Sequence, residues 1–245
     1  MRINRAAIKQ NAKNTITSSK PSPILVGLVF LAIVAILQVL SFSVSGQYAA
    51  YMRNMEQLMA GNVQTMDQLM ERARVYVPAV PQPGVFGNML DIAISLMTLM
   101  ISTGFTIYCM NVCQFRKADF GNLFDGFAIF FKVLWLTILM AIFVWLWALL
   151  FIIPGIIAAY RYRMALYIML DNPKLGALDC IRASKQMMDG RKGELFVLDL
   201  SFLGWALLTL VPFVTIWVTP YTAVTYTNYY LALRNMPRPN NNQSF

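Results

Sequence analysis

The chain contains no histidine. That removes the side chain most used as a general base near neutral pH, and the one most used to ligate transition metals. Cysteine is scarce too. Cys109, Cys113 and Cys180 are the full complement, none in a segment read below as external, so no structural disulfide is expected. Cys109 and Cys113 share a helix face, but a closed metal site needs about four ligands, and small buried hydrophobes is the simpler reading. Charged residues are 13% of the 245 positions, against about 25% in an average globular chain. Acidic residues are the rarer kind, 11 against 20 Lys and Arg. With no histidine, acidic pair or metal cluster, an intramembrane enzyme has no visible mechanism, and no cofactor is expected. No nucleotide-binding loop is present either. The basic residues are scattered at helix ends, without a long basic run or an aromatic–basic motif, so nucleic acid is not an expected partner.

What the chain has in excess is apolar surface: 58% of its residues are hydrophobic. A soluble domain of this length cannot hide so much, so the surplus must face lipid. About 20 apolar residues cross a bilayer. Residues 24–45 form such an uncharged run, after a basic segment (1–23) in which Pro21 and Pro23 stop any continuous helix. The run is too long for an ordinary signal peptide and reads as an anchor. Residues 47–84 are a hydrophilic interlude. Further apolar segments cover about 88–112, 132–153, 156–170, 195–213 and 216–233, and the tail 234–245 is polar. The predicted fold is all-α: a polytopic transmembrane bundle of about six helices forming a single domain over 24–233, with both termini in the cytoplasm.

Residues 133–170 read either as one span or as a hairpin turning at the breaker pair Pro154-Gly155. Charge decides between them. With a hairpin, the inner segments hold 15 Arg and Lys, and the outer interlude holds three, Arg53, Arg72 and Arg74. A single span would place the five basic residues between 174 and 192 outside, against the positive-inside rule. The formal net charge of +9 then reports orientation and contact with anionic headgroups.

Several motifs stand in a fixed order: FGNLFDGF at 120–127, LWALLFIIPGI at 146–156, Tyr160-Arg161-Tyr162, Asp171-Asn172-Pro173, SKQMMDGRKGELFVLDLSFLGW at 184–205, and Pro220-Tyr221. Over roughly residues 90–233 this order resembles the bacterial membrane family catalogued as domain of unknown function nine-seven-five. That family is distantly similar to the membrane domain of glycerophosphodiester phosphodiesterases, whose catalysis resides in a separate soluble domain absent from this chain. The resemblance implies a fold and a location, the bacterial plasma membrane, and carries no activity with it.

Charged residues inside the last predicted spans are Arg161, Arg163 and Asp199. Each costs about 2.5–3.5 kcal/mol at a helix centre on insertion scales, and such residues usually face the bundle interior. Antiparallel packing brings Asp199 to a depth compatible with either arginine, so an Asp199–Arg163 or Asp199–Arg161 contact is expected. It reads either as a structural pair or as an anion-binding cavity, for example for a lipid phosphate, with one arginine left over. On the last helix Thr215, Thr219, Thr222, Tyr226 and Tyr229 share a face, with Asn228 nearby. That stripe reads as a substrate-lining face (Thr219, Thr222, Tyr226) or as interhelical hydrogen bonding. The stretch Trp147–Pro154 also resembles Trp205–Pro212, which suggests a parallel internal repeat.

The interlude holds Met52, Met55, Met59, Met66 and Met70. Thioethers at this spacing bind Cu(I), but with Leu58, Val63 and Leu69 they also form a near-heptad stripe, which favours an interfacial or self-associating helix over 48–74. Residues 173–189 read as a cytoplasmic amphipathic helix on the membrane, apolar through Leu175, Leu178, Ile181 and Met188 and basic through Lys174, Arg182 and Lys185. Ser184-Lys185 is not a nucleophile pair, because adjacent helix positions point about 100° apart. Two functions fit: a non-enzymatic protein that binds, moves or organises a lipid-like or small anionic substrate, and an accessory protein acting through a protein partner.

Overall fold

A computed structural model describes residues 4–44, 85–209 and 212–236, with Met52 and Met70 as isolated, exposed positions. Met55, Met59 and Met66 of the Met-rich stripe lie outside the described residues. Regular structure among the described residues is helical throughout, without a strand. The helices are α1 (Arg5–Ser18), α2 (Pro23–Val44), α3 (Val85–Cys113), the one-turn α4 (Asp125–Ala128), α5 (Phe130–Leu150), α6 (Ile152–Tyr162), α7 (Ala165–Asp171), α8 (Ala177–Met187), α9 (Lys192–Leu208) and α10 (Pro212–Arg234). Among the described residues three helices are long and apolar enough to cross a membrane: Pro23–Ser43, Gly87–Cys113 and Phe130–Leu150. Much of their apolar surface is uncovered, including Ile36, Val39, Ile92, Phe131 and Trp145. Exposed apolar area on this scale needs a non-aqueous neighbour.

The chain divides into two compact units, Leu31–Leu99 and the remainder (Met1–Phe30 with Met100–Phe245). In the first, the Ser41 hydroxyl donates to Asp91 Oδ1 at 2.6 Å. A carboxylate in an apolar helix thereby gains a partner from the helix beside it.

In the larger unit the segment after α3 folds tightly back onto that helix. Asp119 caps a 3-10 turn (Phe120–Phe124) by accepting from the Gly121 N–H, while Asn122 accepts from the Asp119 N–H. Two glycines allow the approach. A Cβ on Gly104 would overlap the Leu123 carbonyl, and one on Gly126 would overlap the Met100 carbonyl. The FGNLFDGF stretch is therefore a backbone-to-backbone seat, with Leu123 buried beneath it. Nearby, Tyr108 donates to the Pro21 carbonyl at 2.6 Å, and Phe30 stacks on Phe105 at 4.7 Å between centroids.

The hairpin expected over 133–170 forms, but its corner is one residue, Phe151, in extended conformation (φ −161°, ψ 148°). Pro154 falls within the first turn of α6, where a missing N–H costs no helical hydrogen bond. Gly155 is the contact point of the two arms: a Cβ there would come within 2.8 Å of Ala148 Cα. The pair taken from sequence as the breaker thus starts and seats the returning arm. That arm is itself discontinuous, α6 ending at Tyr162 and α7 starting at Ala165.

Two other segments depart from expectation. The leading basic segment contains a helix, α1, started by Asn4, whose side chain accepts from the Ala6 and Ala7 N–H groups. It packs along α10 through Ile8 and Ala12, both buried. Two apolar contacts in a polar 14-residue helix leave little periodicity to read. Helix α8 begins at Ala177 rather than 173, and it packs against α5, α6 and α7. Its buried side is Cys180, Ile181 and Ser184, while Leu178, expected on the apolar face, is exposed with Arg182 and Lys185. Of the two stretches suggested as a repeat, Trp147–Pro154 leads into a broken arm, whereas Trp205–Pro212 leads into α10, which runs on through Pro220.

Gly104→Ala and Gly126→Ala should each lower the melting temperature in detergent, at an overpacking cost of about 1–3 kcal/mol. Gly204→Ala, where the added methyl meets nothing within 4 Å, should be neutral or slightly stabilising.

Candidate functional site

The site is assembled where α6 ends. A helix that stops leaves carbonyl and N–H groups without intrahelical partners, and in apolar surroundings each must be paired. Here α8 supplies the partner. Ser184, fully buried, donates from Oγ to the Arg161 carbonyl at 2.7 Å and accepts from the Met164 N–H at 3.2 Å. One hydroxyl satisfies both sides of the break, fixing the last turn of α6 with its Tyr160, Arg161 and Arg163.

Asp199 of α9 faces this turn, but not through an arginine. Its Oδ2 accepts from the Tyr160 hydroxyl at 2.8 Å and its Oδ1 from the Tyr226 hydroxyl of α10 at 2.6 Å. The ion pairs formed among the described residues are Arg182–Asp179, Lys192–Asp189 and Arg234–Asp171. The expected Asp199–Arg contact is therefore not made. The two helices do meet at this level; azimuth decides the partner. Successive helical residues are rotated by about 100°, so with Tyr160 turned to α9, Arg161 points elsewhere, while Arg163, three residues on, stays near the same side without reaching the carboxylate. Arg163 lays its guanidinium over the Tyr226 ring, 5.2 Å from the centroid, a cation–π arrangement. Arg161 is partly buried, and its Nε is enclosed without a hydrogen-bond partner.

An aromatic cluster surrounds the carboxylate. Tyr160 meets Phe196 edge-on at 6.1 Å, and Phe202 contacts Tyr226 at 5.9 Å and Tyr221 at 5.8 Å. From α1, Lys9 sets its ammonium 4.7 Å from the Phe202 centroid. Burial, then the neighbouring Arg5, push the Lys9 pKa below its ordinary value.

Of the predicted stripe on α10, Tyr226 joins this cluster. Thr222 donates back to its own helix, to the Val218 and Thr219 carbonyls, both at 2.9 Å. Thr225 and Thr227, both buried, do likewise. Such i−4 bonding satisfies hydroxyls inside one helix, and Thr227 in addition shares a side-chain hydrogen bond with Tyr167 of α7, an interhelical contact of the kind expected. Thr215 reaches the Thr209 carbonyl at 3.4 Å. Thr219 is half-buried on the same helix, Tyr229 is buried, and Asn228 has a buried Nδ2 without a partner, as does Oε2 of Glu194 on α9. Cys109 is fully buried and Cys113 half-buried.

A second polar node lies at the end of α7. Asp171, its side chain nearly buried, accepts from Arg234 Nη1 at 2.8 and 2.9 Å, Tyr230 at 3.0 Å and Gln114 at 3.4 Å. It ties the ends of α3, α7 and α10 together. Burial alone would raise its pKa, but the Arg234, Tyr230 and Gln114 hydrogen bonds together hold it below the ordinary carboxylate value.

Sequence reasoning singled out the two arginines and Asp199 but missed Tyr160, Ser184, Asp171 and Lys9. Tyr160 and Tyr167 carry a faint signal, lying seven apart on one helical face; Ser184 carries none, because its role exists only beside a break on another helix.

Residues 149–237 match the model of a family described as a protein of unknown function (DUF975). No curated protein and no solved structure matches the chain.

Ser184→Ala should destabilise the protein by about 1–3 kcal/mol, the cost of leaving buried polar groups unpaired, read as a lower detergent melting temperature; Ser184→Thr should retain most of it. For Asp171 the native pKa lies below the unfolded value of about 3.9. Its contribution is complete above that value and fades as pH falls through the native pKa. Asp171→Asn should therefore narrow the gap between melting temperatures at about pH 5 and about pH 3; an unchanged gap would assign the acid sensitivity to other carboxylates.

Proposed function

We propose that the chain, similar in its C-terminal part to that family, is a multi-pass plasma-membrane protein of six spans with both termini in the cytoplasm. It is non-enzymatic and binds a lipid-like or small anionic ligand through Arg161 and Arg163. Under this reading α6 with α7, α9 and α10 complete the set begun by the three long apolar helices. The excess of basic residues in the proposed inner segments supports the orientation.

One observation carries the binding reading. The two guanidiniums at the end of α6 are not neutralised by the nearby carboxylate, whose oxygens are engaged by Tyr160 and Tyr226, and Arg161 Nε is buried without a partner. A cation in an apolar helix costs about 2.5–3.5 kcal/mol, and a bound oxyanion offsets that cost by charge-assisted hydrogen bonding. Planar guanidiniums suit phosphate and carboxylate geometry in particular.

Native mass spectrometry of the detergent-purified protein tests this. Wild type should retain a phosphate-bearing lipid or small anion, Arg161→Ala should lose it while keeping its melting temperature, and Asp199→Ala should keep it. Adducts indifferent to Arg161 would assign the arginines to structure alone.

A further inference from the structure

We infer that the row Arg163–Tyr226–Asp199 binds a zwitterion, its oxyanion end on Arg163 and its primary ammonium end on Asp199. This rests on the ligand-binding reading above and names the ligand's chemical class.

Two opposite charges stand in one cluster without forming an ion pair, and Tyr226 is what lies between them. Its hydroxyl donates to Asp199 Oδ1 at 2.6 Å, and its ring carries the Arg163 guanidinium at 5.2 Å. One side chain thus fixes a positive and a negative group while keeping them apart. Each retains unused capacity. A carboxylate offers about four acceptor positions, and the two tyrosines take one on each oxygen. A guanidinium offers five N–H donors, and a cation–π contact consumes none of them.

The remaining donors and acceptors limit what fits. The Tyr160 and Tyr226 hydroxyl protons are committed to Asp199, so the tyrosines offer an anion nothing, and the arginines are its donors. A plain anion bound there is repelled by Asp199; a plain cation is repelled by Arg161 and Arg163. A molecule with both charges gains from each. The aromatic surface beside Asp199 also accepts an alkylammonium, since Phe202, in contact with Tyr226 at 5.9 Å, already carries that of Lys9 at 4.7 Å, the cation–π preference of an electron-rich ring face. Phe196 and Leu200, which flank Asp199 along α9, are exposed apolar residues. A phosphoethanolamine group supplies this chemistry, attached to a lipid or free in solution.

The test uses the full-length protein in nanodiscs and detergent, with phosphatidylethanolamine, phosphatidylglycerol and soluble phosphoethanolamine as probes. Native mass spectrometry on an equimolar lipid mixture should show wild type retaining phosphatidylethanolamine over phosphatidylglycerol by about tenfold, a difference a single charge contact supplies. Asp199→Asn should abolish that preference while both lipids still bind, and Arg163→Gln should weaken both. A detergent melting temperature measured beside each spectrum separates a lost preference from a folding defect in the Asn variant. Stabilisation by soluble phosphoethanolamine without lipid selectivity also supports the proposal and identifies a soluble source. Equal retention of the two lipids with no effect of phosphoethanolamine, or a preference unchanged in Asp199→Asn, overturns the zwitterion while leaving anion binding standing. Retention indifferent to Arg163 and Arg161 overturns both.

Discussion

A helix interrupted in apolar surroundings exposes backbone groups that neither water nor lipid will satisfy, and the larger unit is organised around meeting that demand. The break between α6 and α7 frees the Arg161 carbonyl and the Met164 N–H, and Ser184 accepts one obligation and donates to the other. Because Ser184 belongs to α8, that helix is keyed into the break. The key in turn sets the rotation of the last turn of α6. That rotation decides that Tyr160, rather than either arginine, meets Asp199.

Hydroxyls are suited to this kind of setting. A tyrosine proton turns about its C–O bond to meet an acceptor, and it solvates a carboxylate without cancelling its charge. Asp199 is held by two of them, and Asp91 uses a serine in the same way. Asp171, at the end of α7, is treated differently, with a guanidinium and a tyrosine directed at one carboxylate. Asp171 is thus neutralised at a helix end, whereas Asp91 and Asp199 inside their helices are solvated by hydroxyls but uncancelled.

What was legible in the sequence follows from which features are local. Apolar run length located the helices, since each long segment is decided by its own composition. Charge excess pointed to the hairpin over 133–170, because a turn there moves a whole set of basic residues to one side. The corner was misplaced by a few residues: Pro154-Gly155 has two physical roles, stopping a helix and starting one in close contact, and composition does not separate them. The axial position of Asp199 against α6 was readable from residue counts. Its azimuthal partner was not, because a 100° step per residue turns one position of uncertainty into a different face. Helix α1 escaped notice for the opposite reason: only Ile8 and Ala12 are buried, too few to leave a pattern.

From Val133 to Ala159 no residue carries a charge, and the reversal at Phe151 lies inside that stretch. Within that stretch no charged side chain marks the corner itself. What marks the corner is steric, the fit of Gly155 against Ala148. The course of the returning arm is thus tied to a contact between two of the smallest residues in the protein.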